Sequence, residues 1–283
     1  MNSCFMNYKH EENMYIKPFL KWPGGKYRIL PKILEELPEG TRYVEPFAGS
    51  CSVYLNANIK YAIICDINRD LIDLYKLIKA EGKEFISFCK TFFNAENNTK
   101  EKFYKIRNEF NQTQDQSERC ARFLYLNRHC FNGLVRYNSK SEFNVPFGKY
   151  KNPYFPYKEL INFYHRTQEV DTEFICCDFR EVFKSLTFGD VVYCDPPYLP
   201  LSATSNFTNY SGSNFSVKDQ YDLASLSKIA SNHGVNVIIS NHDTELSREL
   251  YNESEIKFFN VQRYISCKGS SREEAPEILA IFR

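Results

Sequence analysis

The order of apolar segments in this chain predicts an α/β fold, in which one sheet domain is interrupted by a helical segment. Short apolar runs that are typical of buried strands occur near both ends of the chain. Between them, residues 70–126 show apolar side chains at three- and four-residue spacing, which indicates amphipathic helices. We therefore expect residues 1–68 and 157–283 to form the sheet domain, and residues 69–156 to form a second, mainly helical domain.

The first predicted elements follow a βαβ pattern. A strand at 43–45 precedes a turn at 47–50, the start of a helix at 52–56 and a second strand at 61–65. Asp66 stands at the carboxyl end of the second strand, where a carboxylate can accept hydrogen bonds from both hydroxyls of a ribose. The alternative is that this side chain caps the next helix.

After the helical segment, the chain returns to strand patterns. Residues 128–157 are rich in Asn, Gly, Pro and aromatic residues, which indicates loops. Further strands are predicted at 173–177, 190–193, 236–240, 257–265 and 277–282, and an amphipathic helix is predicted at 218–232. Residues 199–212 are rich in Ser, Thr and Asn, and we expect them to form a lid that a bound substrate or cofactor orders.

The composition is that of an ordinary globular protein, but its charge is unevenly distributed. Hydrophobic residues make up 43% and charged residues 25% of the 283 residues, and the formal net charge is +1. Residues 69–151 contain 16 Lys and Arg against 10 Asp and Glu, whereas the rest of the chain contains 20 against 25. This basic segment indicates contact with a polyanion, although a solvated helical surface would show the same excess.

Composition also limits the location and the chemistry that we expect. The sequence has no run that approaches the roughly 18 apolar residues of a membrane helix. Residues 1–14 are unlike a secretory signal, so we expect a cytoplasmic protein. The ten cysteines include no Cys-x-x-Cys pair and lie within apolar runs, which predicts reduced, buried thiols. Ligand clusters with zinc-like spacing are absent, so we expect no metal.

A loop after the fourth predicted strand carries the strongest sign of chemistry. Asp195, Pro196, Pro197 and Tyr198 follow the apolar run at 191–193. The two prolines stiffen the loop and have no backbone N–H, so carbonyl groups can face a ligand. An acidic acceptor, carbonyl acceptors and an aromatic face together form a small site for a planar amine.

Two segments nearer the amino terminus indicate a cofactor site. Residues 47–51 resemble the Phe-x-Gly-x-Gly turn of S-adenosylmethionine (AdoMet) methyltransferases, with Cys51 in place of the second glycine. A dinucleotide-binding turn would contain more glycines, so a dinucleotide enzyme is disfavoured. In residues 19–26 a Gly-Gly pair permits close backbone approach, Trp22 can cover the methionine end of the cofactor, and Lys26 can pair with its carboxylate.

Together, these motifs resemble Dam-type DNA adenine-N6 methyltransferases. They occur in the order seen in that family, and the resemblance covers about residues 19–282. The segments that carry it are 21–26, 45–49, 65–68, 123–128, 131–134, 136–138, 142–148, 195–198, 200–204 and 240–244. The resemblance implies a class I AdoMet-methyltransferase fold, which is a Rossmann-like sheet, with an inserted helical domain that recognises DNA.

The resemblance also implies roles for individual residues. The residues that would bind AdoMet, and later its product S-adenosylhomocysteine, are Trp22, Lys26, Phe47, Asp66, Asp178, Phe179 and Asp195. Catalysis would fall to Asp195, Pro196 and Tyr198. The carboxylate and the Pro196 carbonyl would each accept one N6 hydrogen of adenine and stabilise the charge that grows on nitrogen. Tyr198 would stack on the base.

The same resemblance implies contacts with double-stranded DNA, from which the target adenine must be flipped to reach the loop. Bases of GATC would be read by Lys21, Asn132, Leu134, Arg136 and Pro146, and phosphates would be contacted by Arg107 and Asn138. Phe131 would insert into the base stack, where the best-known relative has tyrosine, so the wedge keeps its ring and loses a hydroxyl.

We therefore predict a monomeric enzyme that methylates adenine N6 in double-stranded DNA, within GATC. Two other hypotheses are a catalytically silent DNA-binding regulator on the same scaffold, and an RNA or protein amino-group methyltransferase. The first is disfavoured because Asp195, Tyr198, Asp66 and Lys26 are all present. The second is disfavoured by the base-reading segment at 131–146.

Overall fold

The computed structural model describes residues 15–198, 215–262 and 274–283. Within these ranges the central element is a seven-stranded sheet in the order β3-β2-β1-β4-β5-β7-β6. Its strands are β1 (Tyr43–Glu45), β2 (Tyr61–Asp66), β3 (Asp171–Cys176), β4 (Val191–Cys194), β5 (Asn236–His242), β6 (Glu255–Gln262) and β7 (Glu274–Phe282). Strands β1 to β5 run parallel to one another, and β7 runs antiparallel to both β5 and β6. A mostly parallel sheet with helical connections confirms the predicted α/β class.

Helices connect the strands and cover both faces of the sheet. Those in the described ranges are α1 (Leu30–Glu36), α2 (Arg69–Glu81), α3 (Lys83–Lys90), α4 (Lys100–Gln112), α5 (Gln116–His129), α6 (Tyr157–Glu169), α7 (Phe179–Lys184), α8 (Val217–Asn232) and α9 (Glu245–Leu250). Short 3-10 turns occur at Lys26–Arg28 and Phe131–Gly133. None of the described helices has the length and apolar character needed to cross a membrane.

One face of the sheet shares a continuous hydrophobic cluster with the helical segment. The Tyr75 ring of α2 stacks on Phe163 of α6 at 4.8 Å and lies 5.6 Å from Phe174 of β3. The same cluster extends to Phe103 in α4 and Tyr125 in α5. Full burial of one such ring stabilises the fold by about 1.5–3 kcal/mol. Because α2 packs on the sheet and also on α5, the segment 69–156 is joined to the sheet through a common core, and its status as a separate domain stays a prediction.

The other face of the sheet has its own, smaller core. Helices α7 and α8 pack there through Val182 and Leu223, against Val192 and Val237 of the central strands. This cluster lies directly behind the carboxyl end of β4, so it supports the loop that follows that strand.

The structure corrects one predicted element and adds others. The helix expected at 52–56 is wrong, because these residues form hydrogen-bonded turns. The Leu55 N–H bonds four residues back to Cys51, but the Asn56 N–H bonds only three residues back, so these turns do not continue as a regular helix. Helices α1, α6, α7 and α9 have no counterpart in the sequence prediction. The predicted lid at 199–212 and the end of the strand predicted at 257–265 lie outside the described residues.

Candidate active site

Four loops that carry predicted site residues meet at one edge of the sheet. The turn at 46–50 follows β1, Asp66 ends β2, Asp178 lies two residues beyond β3, and Asp195 follows β4. These strands are parallel neighbours, so their carboxyl ends lie side by side. This edge is the usual ligand site of an open α/β sheet.

Lys26 and Asp195 form an ion pair at the centre of this edge. The Lys26 Nζ lies 2.9 Å from Asp195 Oδ1, and the two side chains are only 6% and 22% exposed. Burial raises the pKa of Asp195, and the ammonium of Lys26 opposes that rise by favouring the carboxylate. Lys26 also donates to the Gly24 carbonyl at 2.7 Å. The sequence predicted that Lys26 pairs with a carboxylate of the cofactor, whereas in the structure Lys26 pairs with the Asp195 carboxylate.

The rest of the loop is held from two further directions. Gln220 Nε2 donates to the Pro197 carbonyl at 2.7 Å. The Tyr198 hydroxyl donates to Glu277 Oε2 at 3.0 Å, and the Lys26 ammonium lies 4.4 Å from the centre of the Tyr198 ring. Within the described residues no donor reaches the Pro196 carbonyl, although that residue is buried. The loop therefore has three side-chain anchors and one carbonyl left for a ligand.

The turn after β1 is fixed by Asp66. Its Oδ2 accepts the Gly49 N–H at 3.0 Å, and its Oδ1 accepts the Asn68 N–H at 2.9 Å. Asn68 is the residue that caps α2, so the helix-cap alternative for Asp66 is wrong. Burial raises the pKa of Asp66, and the backbone N–H groups of Asn68, Gly49 and Ile67 oppose that rise. Each carboxylate oxygen has a second lone-pair site, so the side chain retains capacity for hydroxyl donors.

Two positions in this turn show what the sequence motif requires. Gly49 has φ +45°, and a Cβ atom there would lie 3.0 Å from the Trp22 ring, so the turn and Trp22 are in close contact. Cys51 has φ 60° and is fully buried, although most side chains disfavour this conformation. The cysteine therefore occupies a left-handed position for which the family pattern uses glycine.

Aromatic and acidic side chains meet beyond β3. The Phe47 and Phe179 rings lie 5.3 Å apart, and Phe215 lies 5.6 Å from each of them. Asp178 caps α7 and pairs with Arg180 at 3.1 Å. The predicted residues Phe47, Asp178 and Phe179 are thus brought together at the sheet edge.

Residues 130–148 form an irregular hairpin, here called the 130–148 hairpin. Antiparallel bridges join Cys130 to Phe147 and Tyr137 to Phe143. Phe143 is buried in the core, and the Tyr137 hydroxyl donates to Asp70 of α2 at 2.6 Å. The hairpin is therefore anchored at its backbone and at two aromatic side chains.

The predicted base-reading side chains of the hairpin differ in exposure. Phe131 is 50% exposed, and Asn132, Arg136 and Pro146 are exposed as well. Leu134 is partly buried against the core. Arg136 Nε donates to Asn144 Oδ1 at 2.7 Å, which leaves its two terminal nitrogens directed away from that contact. These four exposed side chains lie on one hairpin and form a surface suited to contact with a groove of double-stranded DNA.

The predicted phosphate contacts and Lys21 have partners inside the protein. Asn138 Nδ2 donates to Glu142 at 2.8 Å and thus closes the hairpin turn. Arg107 donates to the Val145 carbonyl at 3.2 Å, and its Nε has no partner among the described residues. The Lys21 ammonium lies 4.1 Å from the centre of the Tyr150 ring, and burial lowers its pKa. The structure places all three beside the hairpin, but not as unengaged side chains.

Comparison with known proteins decides the family. Residues 22–265 match the family described as D12 class N6 adenine-specific DNA methyltransferase. The chain belongs to this family. It is 46% identical to the DNA adenine methylase of Vibrio cholerae serotype O1 over 94% of this chain and 96% of that protein. It is 45% identical to the DNA adenine methylase of Serratia marcescens and 44% identical to that of Escherichia coli strain K12, over 94% of this chain in each case and over 98% and 95% of those proteins.

Membership makes this chain an adenine-specific DNA methyltransferase, an enzyme class that uses AdoMet generally. The prediction of this family from sequence motifs is confirmed, and so is the α/β sheet fold of the methyltransferase. In the described part of the chain, His, Cys, Asp and Glu side chains form no cluster of three or more that could hold a metal ion.

The methyltransferase has buried residues at its site that sequence reasoning did not assign. Glu45 at the end of β1 is 2% exposed, and burial raises its pKa to about 8. Hydrogen bonds from Tyr43 and Tyr54 oppose the rise, and the Asp195 carboxylate adds to it. Glu45 is therefore mostly protonated at neutral pH, which limits the negative charge around Asp195. Its place after an apolar strand was the available signal, whereas nothing local distinguished Gln220 or Glu277.

Proposed function

We propose that this enzyme transfers a methyl group from AdoMet to adenine N6 within GATC in double-stranded DNA, after the adenine has been flipped out of the duplex. The observation that carries the proposal is the loop at 195–198, here called the Asp195 loop, which holds a partly buried carboxylate 2.9 Å from the Lys26 ammonium and presents the Pro196 carbonyl without a described donor. The name shared by the relatives, DNA adenine methylase, supports adenine as the base and leaves the recognition sequence to be tested.

The residues at the sheet edge fit AdoMet. Asp66 has lone pairs left for ribose hydroxyls, and the Phe47 and Phe179 rings form an apolar surface of suitable size for an adenine ring. Asp178 lies beside them, and Trp22 covers the Gly49 turn. When bound, AdoMet supplies a sulfonium methyl group, which is a strong electrophile.

Lys26 can serve the loop and the cofactor together. An ammonium has three hydrogens, and the described contacts use two of them, on Asp195 and on the Gly24 carbonyl. We propose that the third hydrogen pairs with the carboxylate of AdoMet. In this arrangement one buried lysine fixes the position of the acceptor loop relative to the cofactor.

Asp195 and Pro196 prepare the amine of the base. Their two oxygens each accept one N6 hydrogen, which favours a pyramidal nitrogen with its lone pair directed at the methyl group. Positive charge grows on N6 as the new bond forms, and a carboxylate fixed in a poorly solvated site stabilises that charge more than it stabilises the ground state. Because burial raises the pKa of Asp195, this carboxylate is also a suitable acceptor for the proton that N6 loses.

Tyr198 provides a stacking surface for the flipped base. The Lys26 ammonium lies over one face of the ring, and the Glu277 carboxylate fixes the hydroxyl, so the orientation of the ring is set by two partners. We propose that the adenine stacks on the face opposite Lys26, an interaction of about 1–3 kcal/mol for a base on an aromatic ring.

The 130–148 hairpin is proposed to read the DNA. Phe131 serves as the wedge that occupies the space left by the base, and Arg136 donates two hydrogen bonds to a guanine. Asn132, Leu134 and Pro146 contact neighbouring bases, and Lys21 contacts the outer guanine. Arg107 and Asn138 can reach phosphates only by exchanging the partners that they now have in the protein.

The test is transfer of tritium from labelled AdoMet to three substrates: a duplex with one GATC site, a duplex with that site altered at one guanine, and the matching RNA. We expect label in the first duplex only, and none above background with Asp195→Ala. Equal transfer to RNA, or undiminished transfer by Asp195→Ala, would overturn the proposal. We also propose that the enzyme is cytoplasmic and monomeric, and that it has separate catalytic and DNA-reading domains.

A further inference from the structure

A buried polar network lies behind the Asp195 loop. Gln220 on α8 is 2% exposed, and Asn241 on β5 and Tyr251 after α9 are fully buried. Asn241 Nδ2 donates to Gln220 Oε1 at 3.2 Å and to the Tyr251 hydroxyl at 3.1 Å. The Tyr251 hydroxyl lies 3.3 Å from the same Gln220 oxygen. Three elements that are distant in sequence therefore converge on one side-chain amide.

The hydrogen bonds of this network have a fixed order of donors and acceptors, and the last donor faces the loop. The backbone N–H of His242 donates to Asn241 Oδ1 at 2.9 Å, which directs the Asn241 amide nitrogen toward Gln220. Gln220 must then present its oxygen to Asn241 and its nitrogen to the Pro197 carbonyl, where the distance is 2.7 Å. The backbone N–H of His242 thus determines which end of Gln220 faces the loop.

The loop needs such an external donor because of its prolines. Pro196 and Pro197 have no backbone N–H, so neither can donate a backbone hydrogen bond that would close the loop on itself. The orientation of the Pro197 carbonyl sets the plane of the peptide that leads into Tyr198. Gln220 is the described donor that holds this carbonyl, while Lys26 and Glu277 hold the side chains on either side.

We propose that Gln220 is a positioning residue for methyl transfer. It holds the Pro197 carbonyl so that the Pro196 carbonyl and the Asp195 carboxylate face the amine of the base. The inference rests on the proposed catalytic role of the Asp195 loop. A merely structural role for the network would affect the amount of folded enzyme, whereas a positioning role affects the rate of the methyl-transfer step in the folded enzyme.

The first test compares Gln220→Met with Ser227→Ala. Methionine fills the space of glutamine without a donor for Pro197. Ser227 is a fully buried polar residue of the same helix, and its hydroxyl donates to the Leu223 carbonyl and to no other group among the described residues, so its replacement is a matched control. In single-turnover reactions at saturating AdoMet and duplex, we expect Gln220→Met to lower the rate constant about tenfold or more, with dissociation constants for both ligands within about threefold of the parent values. Ser227→Ala is expected to keep the parental rate constant.

The second test uses Gln220→Glu and pH. An ionised glutamate presents only acceptors to the Pro197 carbonyl, whereas a protonated glutamate again donates to it. The single-turnover rate constant of Gln220→Glu, divided by that of the parent enzyme at each pH, should therefore rise as pH falls. The same ratio for Gln220→Met should not vary with pH.

The outcomes separate this inference from the proposed function. If Asp195→Ala retains the parental rate constant, the role of the loop itself is wrong and the inference falls with it. If Asp195→Ala is inactive while Gln220→Met keeps the parental rate constant, only the inference about Gln220 is overturned. Identical rate ratios for Gln220→Glu and Gln220→Met at every pH would also overturn it.

Discussion

The Asp195 loop and the 130–148 hairpin are held in different ways. The loop is fixed by side chains, namely Lys26, Gln220 and Glu277, which meet it from three parts of the chain. The hairpin is fixed by backbone contacts, such as the Phe131 N–H on the Pro146 carbonyl at 2.8 Å, together with its buried aromatic side chains, and four of its proposed DNA-contacting side chains are exposed. Catalysis needs charges that are in place before the substrate arrives, whereas reading needs side chains that can adjust to a groove.

This contrast also separates the electrostatics of the two regions. Asp195 and Lys26 are mostly removed from water, so their attraction is poorly screened. Arg136 stands in solvent and gains most of its interaction energy only when DNA excludes water from it. Substitutions in the loop should therefore change the rate of the reaction, and substitutions in the hairpin should change which sequences react.

The largest effect is expected for Lys26→Met. Without the ammonium, the pKa of Asp195 loses the main group that opposes its rise on burial, so a larger share of this carboxyl group is protonated at a given pH. At saturating AdoMet we expect the single-turnover rate constant to fall by about 10²-fold or more and to recover partly as pH rises. Lys184→Met is the control, because that lysine forms an exposed pair with Glu181 on α7. A loss in Lys26→Met that does not vary with pH would contradict this account.

An intermediate effect is expected for Arg136→Ala. Loss of its two-pronged contact should reduce discrimination at one guanine of the site by about 1–3 kcal/mol. The measurement is kcat/KM on GATC and on duplexes altered at each base. Lys140→Ala provides the control, because that lysine is an exposed residue of the same hairpin without an assigned base. Lys140→Ala should lower kcat/KM by the same factor on all of these duplexes. Unchanged selectivity in Arg136→Ala would refute the contact assigned to Arg136.

The smallest effect is expected for Glu45→Gln, and it should appear in stability. The pKa of Glu45 is raised from 4.5 to about 8 in the folded protein, so the folded state keeps a proton that the unfolded chain releases. This contribution to stability is complete below pH 4.5 and is lost as pH rises to 8, by up to about 1.4 kcal/mol for each pH unit. The free energy of unfolding, measured with urea between pH 7 and 8, should therefore fall less steeply with pH in Glu45→Gln than in the parent enzyme. His129, whose pKa is lowered to about 4, titrates below this window. Equal slopes of the free energy of unfolding against pH in the variant and the parent enzyme would contradict the raised pKa of Glu45.

The sequence predicted the sheet well because buried parallel strands have short apolar runs that end at loops. It also predicted that Asp66 and Asp195 each follow a strand, and the structure places them at one edge because β2, β1 and β4 are parallel neighbours. The helix expected at 52–56 was wrong because the backbone forms turns there, with the Asn56 N–H bonded only three residues back. A local pattern of five residues does not distinguish a run of turns from the first turn of a helix.

The anchors of the loop were beyond local prediction for a related reason. Gln220 and Pro197 are 23 residues apart, and Glu277 and Tyr198 are 79 residues apart. Glutamine in the first turn of an amphipathic helix, and glutamate within an apolar strand, have ordinary structural explanations. Gln220 and Glu277 reach the loop only because β4, β5 and β7 are neighbours in the sheet.

The most direct test of the account is a sequencing map of N6-methyladenine after expression in a host that lacks DNA methylation. We predict methylation of the GATC adenine by the parent enzyme, no methylation by Asp195→Ala, and spread to sites that differ at one guanine with Arg136→Ala. Methylation of GATC by Asp195→Ala, or a different recognition sequence for the parent enzyme, would contradict the division of labour between loop and hairpin.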